Sequence, residues 1–126
     1  MIFSALHRFL PETLVYVDGD PAFKDWTRFC DALHKVKVKR GAFALVAPAD
    51  DGNVRKMAVQ WARDMAFGLV EAHPSESLYG RPSADFMDQA LSNLDLAGAV
   101  MFAPTQAQKN LSTRLGQRGV KTWIAV

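Results

Sequence analysis

TLVYVDGD, residues 13–20, is the stretch whose reading decides the fold. From Thr13 to Asp18 the run is short and almost wholly apolar, the pattern of a strand covered on both faces, and it closes on a carboxylate. Asp20 and Pro21 then read as a helix start. A carboxylate at the N-cap accepts a free backbone N–H, and proline suits the first helical turn. Phe23, Trp26, Cys30 and Leu33 recur at helical spacing and predict the buried stripe of that helix.

Working outward, the same alternation continues to the end of the chain. Phe43 to Ala47 predicts a second buried strand, ending at Pro48 and the turn-rich Asp50-Asp51-Gly52-Asn53. A helix with Val54, Met57, Ala58, Trp61 and Met65 on one side follows, and Gly68 to Ala72 reads as a third strand. The loop from His73 to Pro82 precedes a helix with Ser83 as its cap and Phe86, Ala90, Leu91 and Leu94 inward. Gly98 to Ala103 is a fourth strand. Pro104 and Thr105 turn into a helix with Leu111 and Leu115 inward, Gly119 stops it, and Lys121 to Val126 is the fifth strand. Strand and helix in strict alternation are the mark of βαβ units. The predicted fold is therefore α/β, a single Rossmann-like domain over residues 1–126, with about five parallel strands in the order 3-2-1-4-5 and helices on both faces. In that order the winding reverses between strands one and four, so Asp18 and the turn from Ala103 to Ala107 are expected to face each other across a crevice.

Composition sets the remaining bounds. The 126 residues are 49% hydrophobic, enough for one real core and not for two. A net charge of +2, from 15 basic and 13 acidic residues, excludes a chain that binds polyanions by bulk charge, so nucleic-acid binding has to be local. The lone Cys30 has no partner for an internal disulfide and reads as a small buried helix residue, compatible with a reducing compartment. MIFSALHRFL holds His7 and Arg8 and lacks a long apolar region or a cleavage-like site, and no stretch approaches the roughly 20 apolar residues of a membrane span. The expectation is a cytoplasmic protein without a membrane partner.

The chemistry is expected where strands end. Asp18 and Asp20 follow strand one, Asp50 and Asp51 strand two, His73 to Arg81 strand three, Asp85 opens the third helix, and Thr105 and Gln106 follow strand four. Carboxylates that converge at one sheet edge repel each other and resist desolvation unless a hard cation such as Mg²⁺ lies between them. Such an ion activates water and stabilises charge in phosphodiester cleavage.

On these residues the chain resembles the NYN branch of the PIN-like nuclease superfamily. TLVYVDGD looks like that family's first strand, an apolar run ending in Asp-Gly-Asp-Asn. Gly80-Arg81-Pro82-Ser83-Ala84-Asp85 is similar to its Gly-Lys-Asn-Ala-Ala-Asp segment. From Gly98 onward the chain can be laid without a gap on its closing unit, an apolar strand running into Ser-x-Asp-x-Asp-Phe, then a helix, Gly and a last strand. Trp61 falls where a helix-two tryptophan is common. The resemblance implies metal-dependent hydrolysis of RNA, with Asp18, Asp85 and Thr105 in the catalytic site and Asp18, Asp20 and Asp85 holding Mg²⁺ or Mn²⁺. Arg81 and Lys109 both flank the upper edge of the sheet and are the phosphate candidates by position. The chain departs from the pattern at Thr105 and Ala107, where the family has aspartates, and at Pro21, where it has asparagine. Two carboxylates and a hydroxyl hold Mg²⁺ much less well than three or four acids. Either Asp50, Asp51 or Asp88 supplies the missing charge, or the fold is kept for binding after hydrolysis was lost.

Each assignment has a structural rival. Asp20 suits a helix cap, Asp50 and Asp51 a solvated turn, Asp85 and Asp88 the start of a helix, and His73 an exposed position. Trp61, Met57 and Met65 suit the core. The basic run from His34 to Arg40 suits a helix C-terminus at the lower edge of the sheet, away from the crevice. The order of elements, with ESLYGRPSADFMDQAL before strand four and FAP after it, is also similar to the SLOG superfamily of nucleotide-ligand binding domains. Those carry a Gly-rich turn where this chain has Pro104-Thr105-Gln106-Ala107. A third reading is a non-catalytic module that pairs with another protein or a second copy of itself through its 13 aromatic residues (8 Phe, 3 Trp, 2 Tyr).

Overall fold

The computed structural model describes residues 13–72, 84–92 and 94–125, with the side chains of residues 84–86 left out. The elements run β1 (Leu14–Gly19), α1 (Trp26–Arg40), β2 (Ala44–Pro48), α2 (Asn53–Met65), β3 (Leu69–Ala72), α3 (Ala84–Leu91), β4 (Leu96–Phe102), α4 (Gln106–Gln117) and β5 (Thr122–Ala125). The five strands form one parallel sheet in the order β3-β2-β1-β4-β5, as the alternation of elements predicts.

Side-chain alternation along the strands divides the apolar residues into two cores. Val15 and Val17 of β1 point to one face, where they meet Phe29 and Leu33 of α1 and Val54, Ala58 and Trp61 of α2. Tyr16, between them, points to the other face and joins Leu91 of α3 and Leu111 and Leu115 of α4. Trp61 is buried, with Met57 and Met65 packed at the margin of the first core, in line with their expected place.

The first helix differs from its expected form. It begins at Trp26 and not at Pro21, and its N-cap is Asp25, whose carboxylate accepts from the Arg28 N–H at 3.0 Å. Asp20 instead closes a tight turn, accepting from the Ala22 N–H at 2.8 Å. The reason lies in the neighbouring strand. The Asp20 N–H donates to the Phe102 carbonyl at 3.1 Å, which continues the β1–β4 ladder beyond Gly19 and holds Asp20 in extended register. The buried stripe shifts accordingly to Phe29, Ala32 and Leu33. Phe23 packs from the preceding loop, Cys30 is only half-buried, and Trp26 is 39% exposed. The later helices start close to their expected positions. Leu111 and Leu115 are inward, and Gly119 takes the left-handed backbone (φ 85) that ends α4. His73, Arg81, Ser83 and the Phe86 side chain lie outside the described residues.

Gly19 is where β1 comes closest to β4. A Cβ built on it would collide with the Phe102 carbonyl oxygen and lie 2.9 Å from Val54 Cγ2, so glycine is demanded here by close approach and not by backbone angle. Gly19→Ala is expected to lower stability by about 2–3 kcal/mol, read from urea unfolding midpoints. An unchanged midpoint would mean that the two strands part without cost.

Candidate functional site

In a doubly wound sheet the crevice opens where the winding reverses, here between β1 and β4. Asp18 stands there, paired in register with Met101, and at 7% exposure it is the one buried charged residue among those described. Because Tyr16 and Asp18 are two apart on one strand, they share a face. The Tyr16 hydroxyl donates to Asp18 Oδ2 at 2.6 Å. The Gly19 N–H donates to Oδ1 at 2.8 Å, and Gln108 Nε2 donates to the same oxygen at 3.1 Å. Each carboxylate oxygen therefore already has a donor, as a buried acid requires.

Gln108 reaches Asp18 because the turn after β4 aims it. Thr105 caps α4, its hydroxyl accepting from the Gln108 N–H at 3.3 Å, while Gln108 Oε1 accepts from the Thr105 N–H at 2.9 Å. That reciprocal pair is a capping box. The other end of the same amide donates to the Gly19 carbonyl at 2.6 Å as well as to Asp18. With acceptors on one side and a donor on the other, the orientation of the amide is determined by its partners. Thr105 is thus a cap and holds Gln108. Ala107 and Gln106 are exposed.

Asp20 and Asp50, at this end of the sheet, serve local turns. Asp20 is engaged with Ala22, as above, and Asp50 Oδ1 accepts from the Gly52 N–H at 2.8 Å. The Asn53 N–H donates to the Pro21 carbonyl at 3.1 Å, which ties the two loops together. Asp51 is exposed, and Asp88 sits 3.0 Å from the Arg118 guanidinium near the far end of α4. The side chain of Asp85 and all of Arg81 lie outside the described residues. Among the described residues no three of His, Cys, Asp or Glu stand together in a group able to hold a metal ion. Among the described residues, each Asp18 oxygen meets a hydrogen-bond donor, and the amide of Gln108 brings no negative charge to the carboxylate.

Burial pushes the Asp18 carboxyl up to about 6, against the hydrogen bonds from Tyr16 and Gly19, which favour the charged form; the Asp50 charge adds to the rise. The same burial, with the Asp18 charge, drives the Tyr16 hydroxyl well above its usual range, so it remains a donor.

A hollow of about 490 Å³ lies over the ends of β4 and β5. Phe23, Pro104 and Ile124 contribute apolar walls, and Arg28 and Lys109 contribute cations. Phe23 rests against Phe102 with ring centroids 5.2 Å apart. Arg28 has only a loose contact with Asp25 at 3.8 Å, both side chains being about half exposed, so its charge remains available. Lys109 holds the place expected of it at the upper edge. Phe23 is expected in the helical stripe and lies instead in the loop before α1, while no sequence pattern singles out Arg28. Gln108 was legible as the fourth position of a Thr-x-x-Gln capping box, and Tyr16 as the same-face neighbour of Asp18.

No protein-family model matches the chain, and no curated protein matches it. The resemblance to NYN and PIN-like domains therefore rests on the residues quoted above. Among the described residues no helix is long and apolar enough to cross a membrane.

Two outcomes follow from the Asp18 network. The native state holds the Asp18 proton to about pH 6, whereas an unfolded aspartate releases it near pH 4 (roughly). Its contribution is thus fully present below about pH 4 and declines as pH rises to about 6, by on the order of 3 kcal/mol. Asp18→Asn is expected to flatten stability between these pH values, measured by urea unfolding at each; an unchanged slope would place the titration elsewhere. Gln108→Leu, which strips a donor from Asp18 and from the Gly19 carbonyl, is expected to cost about 1–3 kcal/mol at pH 7, and a loss within error would show that the bridge is not formed in solution.

Proposed function

We propose that this domain is an NYN/PIN-like module that binds RNA over the C-terminal ends of its strands and does not cleave it. The observation that carries the reading is the Gln108 amide seated on Asp18. In a hydrolytic centre that carboxylate would face a cation; here it holds the start of α4 against β1. Retention of binding is supported by the hollow over the ends of β4 and β5, where Arg28 and Lys109 flank Phe23 and Pro104. Cations beside an aromatic face suit a phosphodiester and the base attached to it. Arg81, outside the described residues, would add to the phosphate contacts if it follows the family pattern, and Asp85 would then be a spectator acid at a helix start. The half-buried Cys30 without a disulfide suits a cytoplasmic setting.

The test combines binding and cleavage. Labelled single-stranded RNA is titrated with the protein by fluorescence anisotropy, with and without Mg²⁺ or Mn²⁺. The expected outcome is binding that needs no metal, weakens by about tenfold in the Arg28→Ala, Lys109→Ala double variant, and leaves the RNA intact. Metal-dependent cleavage lost in Asp18→Asn would overturn the reading. Binding of a nucleotide but not RNA would favour a SLOG-type domain, and self-association or capture of a protein without either ligand would favour an interaction module.

A further inference from the structure

The lower edge of the sheet carries a second hollow, of about 470 Å³, on the α1 face. Its origin is in the sequence of β4. Gly98 pairs in register with Val15, and Val100 with Trp123, which puts Gly98, Val15, Val100 and Trp123 on one face. At Gly98 an added Cβ would meet only the Lys121 carbonyl, at 3.5 Å. A strand residue without a side chain leaves a depression that another backbone or a ligand can enter. Trp123, 40% exposed, forms the wall on β5.

The opposite wall is the basic run of α1. Lys35, Val36, Lys39 and Arg40 lie on one helical face, since positions four apart stack. Val36 packs into the core and directs its neighbours to the hollow, and Lys121 adds a charge from the residue just before β5. Lys39 and Arg40 complement the end of the helix dipole, as the sequence suggests. That role does not account for Lys35 or Lys121, and among the described residues no acid lines the hollow. None of the four cations has a carboxylate partner among the described residues. Lys35 instead places its ammonium 5.9 Å from the centroid of the Trp123 ring. Four like charges around one hollow repel each other and are relieved by a polyanion.

We infer that this lower groove binds a single-stranded RNA segment, with its phosphates along Lys35, Lys39, Arg40 and Lys121 and a base entering the glycine-floored hollow beside Trp123. A row of cations next to an indole is the combination that holds single strands without base-specific contacts. An acidic peptide would satisfy the charges and leave the indole and the hollow unused. The inference rests on the RNA-binding reading above but on none of the same residues, so the two sites fail separately.

The experiment follows Trp123 fluorescence and anisotropy together in the full chain, titrated with single-stranded RNA over a series of salt concentrations. RNA is expected to quench the tryptophan signal, and Trp123→Phe is expected to remove that quenching. A Lys35→Ala, Lys39→Ala, Lys121→Ala variant is expected to lose at least tenfold in affinity. Its log–log salt slope should flatten by about 2, three contacts at roughly 0.7 each. Melting temperatures equal to the parent's certify that both variants are folded. Affinity and slope unchanged in the triple variant but reduced in Arg28→Ala, Lys109→Ala would overturn the lower groove and leave the upper site standing. The reverse pattern would support the groove and remove the upper site. No response to RNA in the parent protein would overturn both. Quenching by polyglutamate but not by RNA would overturn the nucleic-acid assignment in favour of an acidic polypeptide.

Discussion

A carboxylate buried at the centre of a parallel sheet must be satisfied, and the way Asp18 is satisfied organises the upper half of this molecule. Its donors come from its own strand, from the following backbone N–H and from a helix 90 residues further on. The last of these matters most for architecture. Parallel strands are joined only through their ladders and through helices laid across them. Gln108 adds a third kind of tie, from the capping box of α4 into the end of β1. The same amide meets the acid that stands at the switch point of the sheet. Both oxygens of the carboxylate accept hydrogen bonds, so the acid is tied to its own strand and to α4 at once.

The architecture was legible because burial on both faces leaves a strong mark. Runs such as Leu14 to Val17 and Ala44 to Ala47 tolerate no polar residue, and the breaks between them fall at Pro48, Gly68 and Gly119. The start of the first helix was less legible for a physical reason. Asp20 is the expected cap, with aromatic residues at helical spacing beyond it, whereas Asp25 caps the helix. What decides between them is a hydrogen bond from Asp20 to Phe102, 82 residues away, that no local pattern encodes. The later start leaves Phe23 and Trp26 outside the buried stripe expected of them.

The candidate site was legible in its place and not in its chemistry. Asp18 and the turn after β4 do face each other, as the strand order requires. The partner is an amide, however, and an amide at the fourth position of a cap gives no sign in the sequence that its far end reaches another strand. The basic run has the same character. Lysine alternating with valine at the end of a helix has an ordinary explanation in the dipole, and only the register of β4 with β5 brings Trp123, Gly98 and Lys121 opposite it.

The sheet keeps its two cores apart. Phe29 and Leu33 pack on one side, Leu111 and Leu115 on the other, and no side chain passes through the layer of backbone between them. Damage on one side is thus not felt as a cavity on the other, and losses from truncating Phe29 and Leu115 should sum with little coupling. Each face is free to drift in sequence on its own, provided the strands between them hold their register.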